Sequence, residues 1–350
     1  MTFRVNMHPG GQTFQVDEGE SVLDAAMRQG IELPYGCRGG SCGSCAGQLL
    51  EGQIVYGEEP PGLTDAMREQ KQALFCMAMP VSDLTISIEE VDALKGIPVR
   101  NLRCRAEQIE KLNHDVISMK LKLAGTDRLQ YLAGQYIEFL LDDGKRRAFS
   151  IANAPHNDDL IELHIRHVPG GQFTDFLFDD MNEKTMLRME GPLGGFYIRE
   201  DSQRPIIMMG GGTGFGPLKA MIEHANYIGL ERNIHLFMGV RALRDLYMDD
   251  MVQQWIQENP RLLFTPVLSE PMDGDNWEGE TGFVHEAVIK TYNDLSPYEI
   301  YMSGPPPMVN AALEAFVEHG ADTDHMYSDA FEFAADTLKA IAESRKNKES

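Results

Sequence analysis

Four cysteines constrain this chain more than any other feature. Cys37, Cys42 and Cys45 fall in the run CRGGSCGSC, and Cys76 follows in LFCMA about thirty residues later. Three thiolates on one tight loop, with a fourth from a distant segment, can surround two irons. This C-x4-C-x2-C…C spacing is that of a plant-type [2Fe–2S] site. Gly36, Gly39, Gly40 and Gly43 let the backbone turn sharply and offer N–H groups to the sulfurs. A zinc site would favour paired C-x2-C knuckles, of which only one occurs. Disulfides would need an oxidising compartment, which nothing in the sequence suggests. The pattern implies one-electron chemistry.

At 350 residues the chain can hold two or three domains, each with its own core. The first residues, MTFRVNMHPGG, contain no long apolar run, so no signal peptide is expected. No stretch approaches the length of a membrane helix, and a cytoplasmic location with no membrane partner is the expectation. Cys104 is left over and reads as a small buried hydrophobe. A net charge of −23 argues against nucleic acid or an anionic membrane as partner. Residues 1–90 carry thirteen Asp and Glu against five Lys and Arg. Such a surface could steer docking to a basic protein, or simply keep the chain soluble.

Three segments differ in pattern. Residues 1–92 read as a small α+β unit. Strands are expected over 2–7, 12–16, 46–50 and 84–88, with a helix capped by Ser21 and stopped at Gly30. Residues 93–99 read as a linker. Residues 100–200 hold short strand-like runs (103–110, 116–123, 136–141, 161–167 and 185–190) and one helix over 173–178, the pattern of a closed antiparallel barrel. Residues 203–333 alternate strand and helix as in a doubly wound parallel sheet. Helices are expected over 217–227, 249–257, 284–291 and 308–319. The tail, 334–350, is rich in Lys, Glu and Ser and reads as dispensable.

Arg147-Ala148-Phe149-Ser150 ends a strand-like run. An arginine fork can hold a pyrophosphate, a phenyl ring can flank a flat heterocycle, and a serine can hydrogen-bond it. Here the chain resembles the ferredoxin-reductase family of flavoproteins, whose flavin barrel carries R-x-[YF]-S. Gly170-Gly171-Gln172-Phe173-Thr174 resembles the family's second flavin segment, where backbone amides at a helix start would receive the pyrophosphate. Gly210-Gly211-Gly212-Thr213-Gly214-Phe215-Gly216-Pro217 is similar to its G-G-T-G-x-x-P dinucleotide loop. Ser303-Gly304-Pro305-Pro306-Pro307-Met308 resembles its C-G-P-P-x-M, with Ser303 in place of the cysteine. Tyr327-Ser328-Asp329-Ala330-Phe331 resembles the segment that brings an acid and an aromatic to the flavin.

The resemblance implies a multidomain chain: a β-grasp ferredoxin domain, an antiparallel flavin barrel and an α/β nucleotide domain. It implies a [2Fe–2S] cluster on Cys37, Cys42, Cys45 and Cys76, with FAD and NADH as the other cofactors. Arg147, Phe149, Ser150, Ile165, Gly171, Gln172 and Thr174 would bind the flavin. Gly211, Gly212, Thr213, Gly214, Pro217, Gly304 and Pro305 would bind the dinucleotide. Ser150, Ser303 and Phe331 would stand at the reacting centre. Asp245, in GVRALRDLY, suits the ribose diol of NADH, while Arg241 and Arg244 keep NADPH open. His114, His164 and His285 read as ordinary surface or core residues.

With the ferredoxin module in front, the order is similar to one-chain reductases of multicomponent oxygenases. The wording of residues 131–155 is most similar to CDP-6-deoxy-Δ3,4-glucoseen reductases, which serve an iron–sulfur dehydratase. The implied relay takes a hydride from NADH to the flavin and single electrons through the cluster to a protein acceptor. That acceptor is a dehydratase or an oxygenase component. A redox sensor without turnover is a third reading.

Overall fold

The computed structural model describes residues 1–125 and 127–331. The expected tail, 334–350, lies outside them. The chain divides into two compact units, Met1–Pro98 with Leu193–Phe196, and Val99–Pro192 with the remainder from Tyr197.

The first unit is a five-stranded mixed sheet ordered Thr13–Asp17, Thr2–His8, Leu84–Ser87, Ala46–Glu51 and Gln72–Leu74. Alternation sets its inner face: Val5 and Met7 on one strand, and Phe14 and Val16 on its neighbour, are buried. Thr2–His8 runs parallel to Leu84–Ser87, the pairing that distinguishes a β-grasp sheet from a simple meander. Helix Val22–Arg28 is capped by Ser21, whose Oγ accepts the Asp24 N–H at 3.1 Å. The expected linker is packed instead, because Leu94 and Ile97 bury their side chains in this unit. Residues 193–196 also belong here, and the Gly195 N–H donates to the Tyr35 carbonyl at 2.8 Å.

The second unit holds two sheets. One is six-stranded, ordered Arg146–Ser150, Tyr136–Leu140, Met186–Leu193, Arg100–Lys111, Val116–Leu123 and Ile161–Arg166. An antiparallel bridge between Ile151 and Leu163 joins its two edges and closes the barrel. Cys104 lies in the barrel core, and burial pushes its thiol up to about 12. It is the inert hydrophobe expected.

The other sheet is parallel in each of its pairings, ordered Glu280–Thr281, Leu262–Leu268, Ile234–Val240, Ile206–Gly211, Glu299–Gly304 and Met326–Ala330. Ile206–Gly211 and Glu299–Gly304 are buried throughout, as central parallel strands must be. The order reverses between these two strands, which places a crevice at their carboxyl ends. Helices Phe215–Ile228 and Pro306–Glu318 begin two residues before the expected starts. Their prolines fall in the first turn, where a missing N–H costs nothing.

Candidate active site

The cysteine loop is shaped by its backbone. Gly40 and Gly43 adopt φ +78° and +75°, and Arg38 adopts +59° with its guanidinium anchored 2.7 Å from Asp24. The Gly62 N–H donates to the Gly40 carbonyl at 2.8 Å, and a Cβ on Gly62 would stand 2.5 Å from the Ser41 carbonyl oxygen. Strand register supplies the distant ligand: Ala46 pairs with Leu74, so Cys45 just before one strand meets Cys76 just after the other.

The thiols converge in two hydrogen-bonded pairs, Cys37 with Cys42 and Cys45 with Cys76. These thiols stand in for the thiolates expected to bind iron. The Gly39 N–H donates to Cys37 Sγ and the Cys37 N–H to Cys42 Sγ, both at 3.4 Å. The Cys42 thiol, then the Ser41 hydroxyl and the backbone amides of Cys42 and Gly39, hold Cys37 at about 4, far below an ordinary thiol. Four sulfurs with amide donors fit a two-iron cluster. Cys45 and Cys76 are buried while Cys37 and Cys42 are partly exposed, so the loop side opens outward.

On the barrel, Arg147 and Phe149 share one face of strand Arg146–Ser150. Arg146, on the other face, is spent on Glu138 and Glu190 at 2.9 and 2.8 Å. Phe149 packs against Phe139 and Phe173, ring centroids 5.7 and 5.9 Å away. Ser150 Oγ donates to Asp329 Oδ2 at 2.9 Å, joining positions 179 residues apart. Ile165 is buried in the barrel core, so only its backbone can meet a ligand.

The segment expected to supply the second flavin contact is largely closed on itself. The Gly170 N–H donates to Asp175 Oδ2 and the Gly171 N–H to the Val168 carbonyl. Thr174 Oγ1 is likewise engaged with Val168 and Gly171. Closing this turn uses the loop amides, which leaves anion binding to the amides that begin helix Gln172–Asp175. A Cβ on Gly171 would meet both Val168 O and Thr174 Oγ1 at 2.9 Å. An arginine, a phenyl ring, a hydroxyl and a glycine turn suit an anionic ligand with a flat ring system.

A cavity of about 460 Å³ opens at the sheet's crevice. Of the residues expected to bind a dinucleotide, Gly211, Gly212, Asp245 and Pro305 line it. Thr213, Gly214, Pro217 and Gly304 shape the backbone behind them. A Cβ on Gly214 would stand 2.1 Å from the Ser303 carbonyl oxygen. Ser303 is fully buried, and its hydroxyl has no hydrogen-bond partner among the described residues. An orphaned buried hydroxyl beside a glycine loop fits a bound ligand that completes it. The Phe331 N–H donates to the Gly304 carbonyl at 3.0 Å, which brings the last expected residue to the same strand end.

Asp245 serves the fold as well as the cavity. Its Oδ2 accepts the Ala242 N–H at 3.0 Å, and its Oδ1 lies 3.5 Å from His114. Behind it runs a buried polar network that the sequence did not disclose. Lys219 Nζ donates to the Ala152 carbonyl at 2.8 Å and pairs with Glu162 and Glu223 at 3.1 and 2.8 Å. His164 bridges Tyr247 Oη and Glu162 at 3.2 and 3.1 Å. Burial would raise Glu162, yet His164 and Lys219 hold it down at about 2. His164 is therefore a strut between barrel and nucleotide sheet rather than an ordinary core residue. His285, also taken as ordinary, lines the cavity.

Three family descriptions match successive parts of the chain. Residues 5–81 match a 2Fe-2S iron-sulfur cluster binding domain, 103–198 an oxidoreductase FAD-binding domain and 208–314 an oxidoreductase NAD-binding domain. The chain is 36% identical over 331 residues to a CDP-6-deoxy-L-threo-D-glycero-4-hexulose-3-dehydrase reductase of Yersinia pestis, covering 95% of this chain and 99% of that one. The chain belongs to the iron–sulfur flavoprotein reductases. It is 34% identical to the phenol hydroxylase P5 protein of Acinetobacter pittii, with 96% of each covered. Its fold also matches the crystal structure of the Amycolatopsis cytochrome P450 reductase GcoB, with TM-score 0.79, 31% identity and 94% and 98% of the two chains covered.

As an iron–sulfur flavoprotein reductase, the chain is an NAD(P)H-dependent oxidoreductase with a [2Fe–2S] cluster and FAD. The β-grasp, barrel and doubly wound classes expected from its sequence are those observed. No helix among the described residues is long and apolar enough to cross a membrane.

Proposed function

We propose that this reductase draws electrons from NADH and delivers them singly to a protein partner, an iron–sulfur dehydratase acting on a CDP-6-deoxyhexulose. The observation that carries the reading is that one chain holds both the four-thiol loop and the dinucleotide crevice. The full-length likeness to the Yersinia dehydrase reductase supports the partner class. Bound flavin supplies the conversion from two-electron to one-electron chemistry, and the cluster a carrier near roughly −400 mV.

The chain's own residues position and exclude. Arg147 and the amides that begin helix Gln172–Asp175 would hold the flavin pyrophosphate. Ser150 and Asp329, hydrogen-bonded to each other, would stand beside the flavin and hold a proton between them. Ser303, buried at the strand end and outside the cavity lining, would offer its unpartnered hydroxyl toward the nicotinamide end of the coenzyme, where Phe331 would cover it. Asp245 favours the ribose diol of NADH over a 2′-phosphate, which its carboxylate would repel. Cys37 and Cys42, on the open side of their loop, form the exit.

Anaerobic titration with NADH and, in parallel, NADPH tests the relay, read by visible absorbance and EPR. NADH should bleach the flavin band and bring up a rhombic [2Fe–2S] signal at lower concentration than NADPH. Product formation with a purified dehydratase, set against O₂-dependent hydroxylation with an oxygenase component, then decides the partner. Turnover only with the oxygenase would replace the dehydratase reading. No electron flow to either would point to a sensor.

A further inference from the structure

Helix Phe215–Ile228, which opens on the glycine loop, lies along the stretch of chain that follows the flavin motif, and the two meet at matched intervals. Lys219 Nζ donates to the Ala152 carbonyl at 2.8 Å, and Glu223 Oε2 accepts the Ala154 N–H at 3.1 Å. One step further the Tyr227 ring stacks on His156, centroids 3.9 Å apart and 7° from parallel. We propose that Lys219 and Glu223 are positioning residues for hydride transfer, fixing in one register the distance from the coenzyme loop to the flavin strand. The inference rests on reading the cavity as the coenzyme site and strand Arg146–Ser150 as the flavin's.

The intervals match for a geometric reason. Residues 219, 223 and 227 are four apart on one helix face, a rise of about 6 Å per step. Residues 152, 154 and 156 are two apart. Ala154 is extended, with φ −76° and ψ 152°. Two extended residues advance about 6.6 Å, so the contacts stay in step. A slip of one helical turn is resisted in both directions. It would set the Glu223 carboxylate against the Ala152 carbonyl, acceptor on acceptor, or the Lys219 ammonium against the Ala154 N–H, donor on donor.

Apolar packing alone would hold the helix down without choosing among registers. Here Lys219 is only 4% exposed, and its ammonium is shared among the Ala152 carbonyl, Glu162 and Glu223. Taking these charges out of water is costly unless each is bonded in a particular geometry, so the arrangement favours placement over stability. The flavin side is held as tightly, because the Ala152 N–H donates to the Glu162 carbonyl at 2.8 Å and the Glu162 N–H to Asn153 Oδ1 at 2.8 Å. Each partner then leads directly to a site. Ser150 lies two residues before Ala152, and the turn Gly212–Gly214 runs straight into the helix. Hydride transfer needs reacting atoms roughly 3–3.5 Å apart, a tolerance that a sliding helix would exceed.

Anaerobic stopped-flow reduction of the full-length holoprotein by NADH tests the register, because it separates the apparent Kd from the limiting rate of flavin bleaching. Lys219→Met should lower the limiting rate by about tenfold or more while Kd for NADH and flavin content stay near the parent's, since a misplacement of roughly an ångström can cost a hundredfold. Glu223→Ala should act in the same direction. Lys219→Met alone leaves a buried carboxylate unpaired and can fail to fold, so Lys219→Met with Glu162→Gln is the decisive variant. Its melting temperature should recover while its limiting rate stays low. A double variant that is as stable and as fast as the parent overturns the proposal and makes Lys219 a structural residue. So does a loss carried by Kd with the limiting rate kept. Gly211→Val separates the two levels of the argument. If it raises Kd for NADH while the Lys219 variants transfer at the parent's rate, the register falls and the cavity stands; if neither matters, both fall.

Discussion

The cysteine loop and the crevice proposed for the dinucleotide would hold their cofactors in opposite ways. Three of four sulfurs sit within nine consecutive residues, and the fourth is delivered by a single strand pairing, Ala46 with Leu74. The crevice is assembled from the ends of several strands and the starts of the helices after them, and its glycines make room rather than bonds. One site therefore depends on a few atoms that do the binding. The other depends on the scaffold behind it, where Lys219, Glu162 and His164 lie outside the cavity lining and are tied to it through Tyr247, which does line it.

The sharpest way to break this comparison is at the sulfurs. Cys42→Ser should cut electron transfer to a one-electron protein acceptor by more than about a hundredfold, as expected when a cluster ligand is lost. NADH reduction of the flavin should persist, as followed by anaerobic bleaching. Loss of both would show that the two sites are not independent.

The scaffold should fail through stability instead. Lys219→Met leaves Glu162 buried beside Glu223 without its cation, which costs about 3–5 kcal/mol when a buried pair is broken from one side. Urea unfolding of the full chain measures it. Lys219→Met combined with Glu162→Gln should recover more than half of the loss. A single-variant loss under about 1 kcal/mol, the scale of an exposed pair, would remove the network from the scaffold.

The smallest expected effect is the pH response of the nucleotide sheet. Burial holds His235 at about 4, against an ordinary value near 6.5, between Tyr292 and Thr265 at 2.7 and 2.8 Å. Below pH 6.5 the unfolded chain takes up a proton that the folded chain refuses. Stability should therefore fall as pH drops from 6.5 toward 4, by up to about 1.4 kcal/mol per unit. His164, lowered by burial, acts in the same direction. Glu162 adds a further loss from about 4.5 down to 2, because its folded carboxylate resists protonation. Melting temperature against pH should be flatter for His235→Asn than for the parent; identical slopes would place the acid sensitivity elsewhere.

What the sequence disclosed follows the same divide. The cysteine spacing and the GGGTGFGP loop are local patterns, and their elements were legible because the residues that matter are neighbours along the chain. Ser150 with Asp329, or Lys219 with Glu162, are meetings across 179 and 57 positions that no short pattern encodes. Lys219 looks like any helix lysine until a barrel strand covers it. The edge strand Met326–Ala330 was hidden because its sequence, MYSDA, lacks the apolar run of its neighbour. Residues 93–99 have the look of a linker, yet two apolar residues, Leu94 and Ile97, suffice to pin the stretch down.

The four residues 193–196 bear on how such chains can be inherited. They are encoded after the barrel yet complete the unit that begins at Met1. Exchange of residues 1–98 between relatives would pair the incoming sheet with the recipient's own version of 193–196, the segment that bonds the Tyr35 carbonyl. Recombination at a single crossover thus produces a mismatched unit, whereas two linked exchanges preserve it. The first unit is one block in space but two in the gene, its second part a tetrapeptide that lies almost a hundred codons downstream.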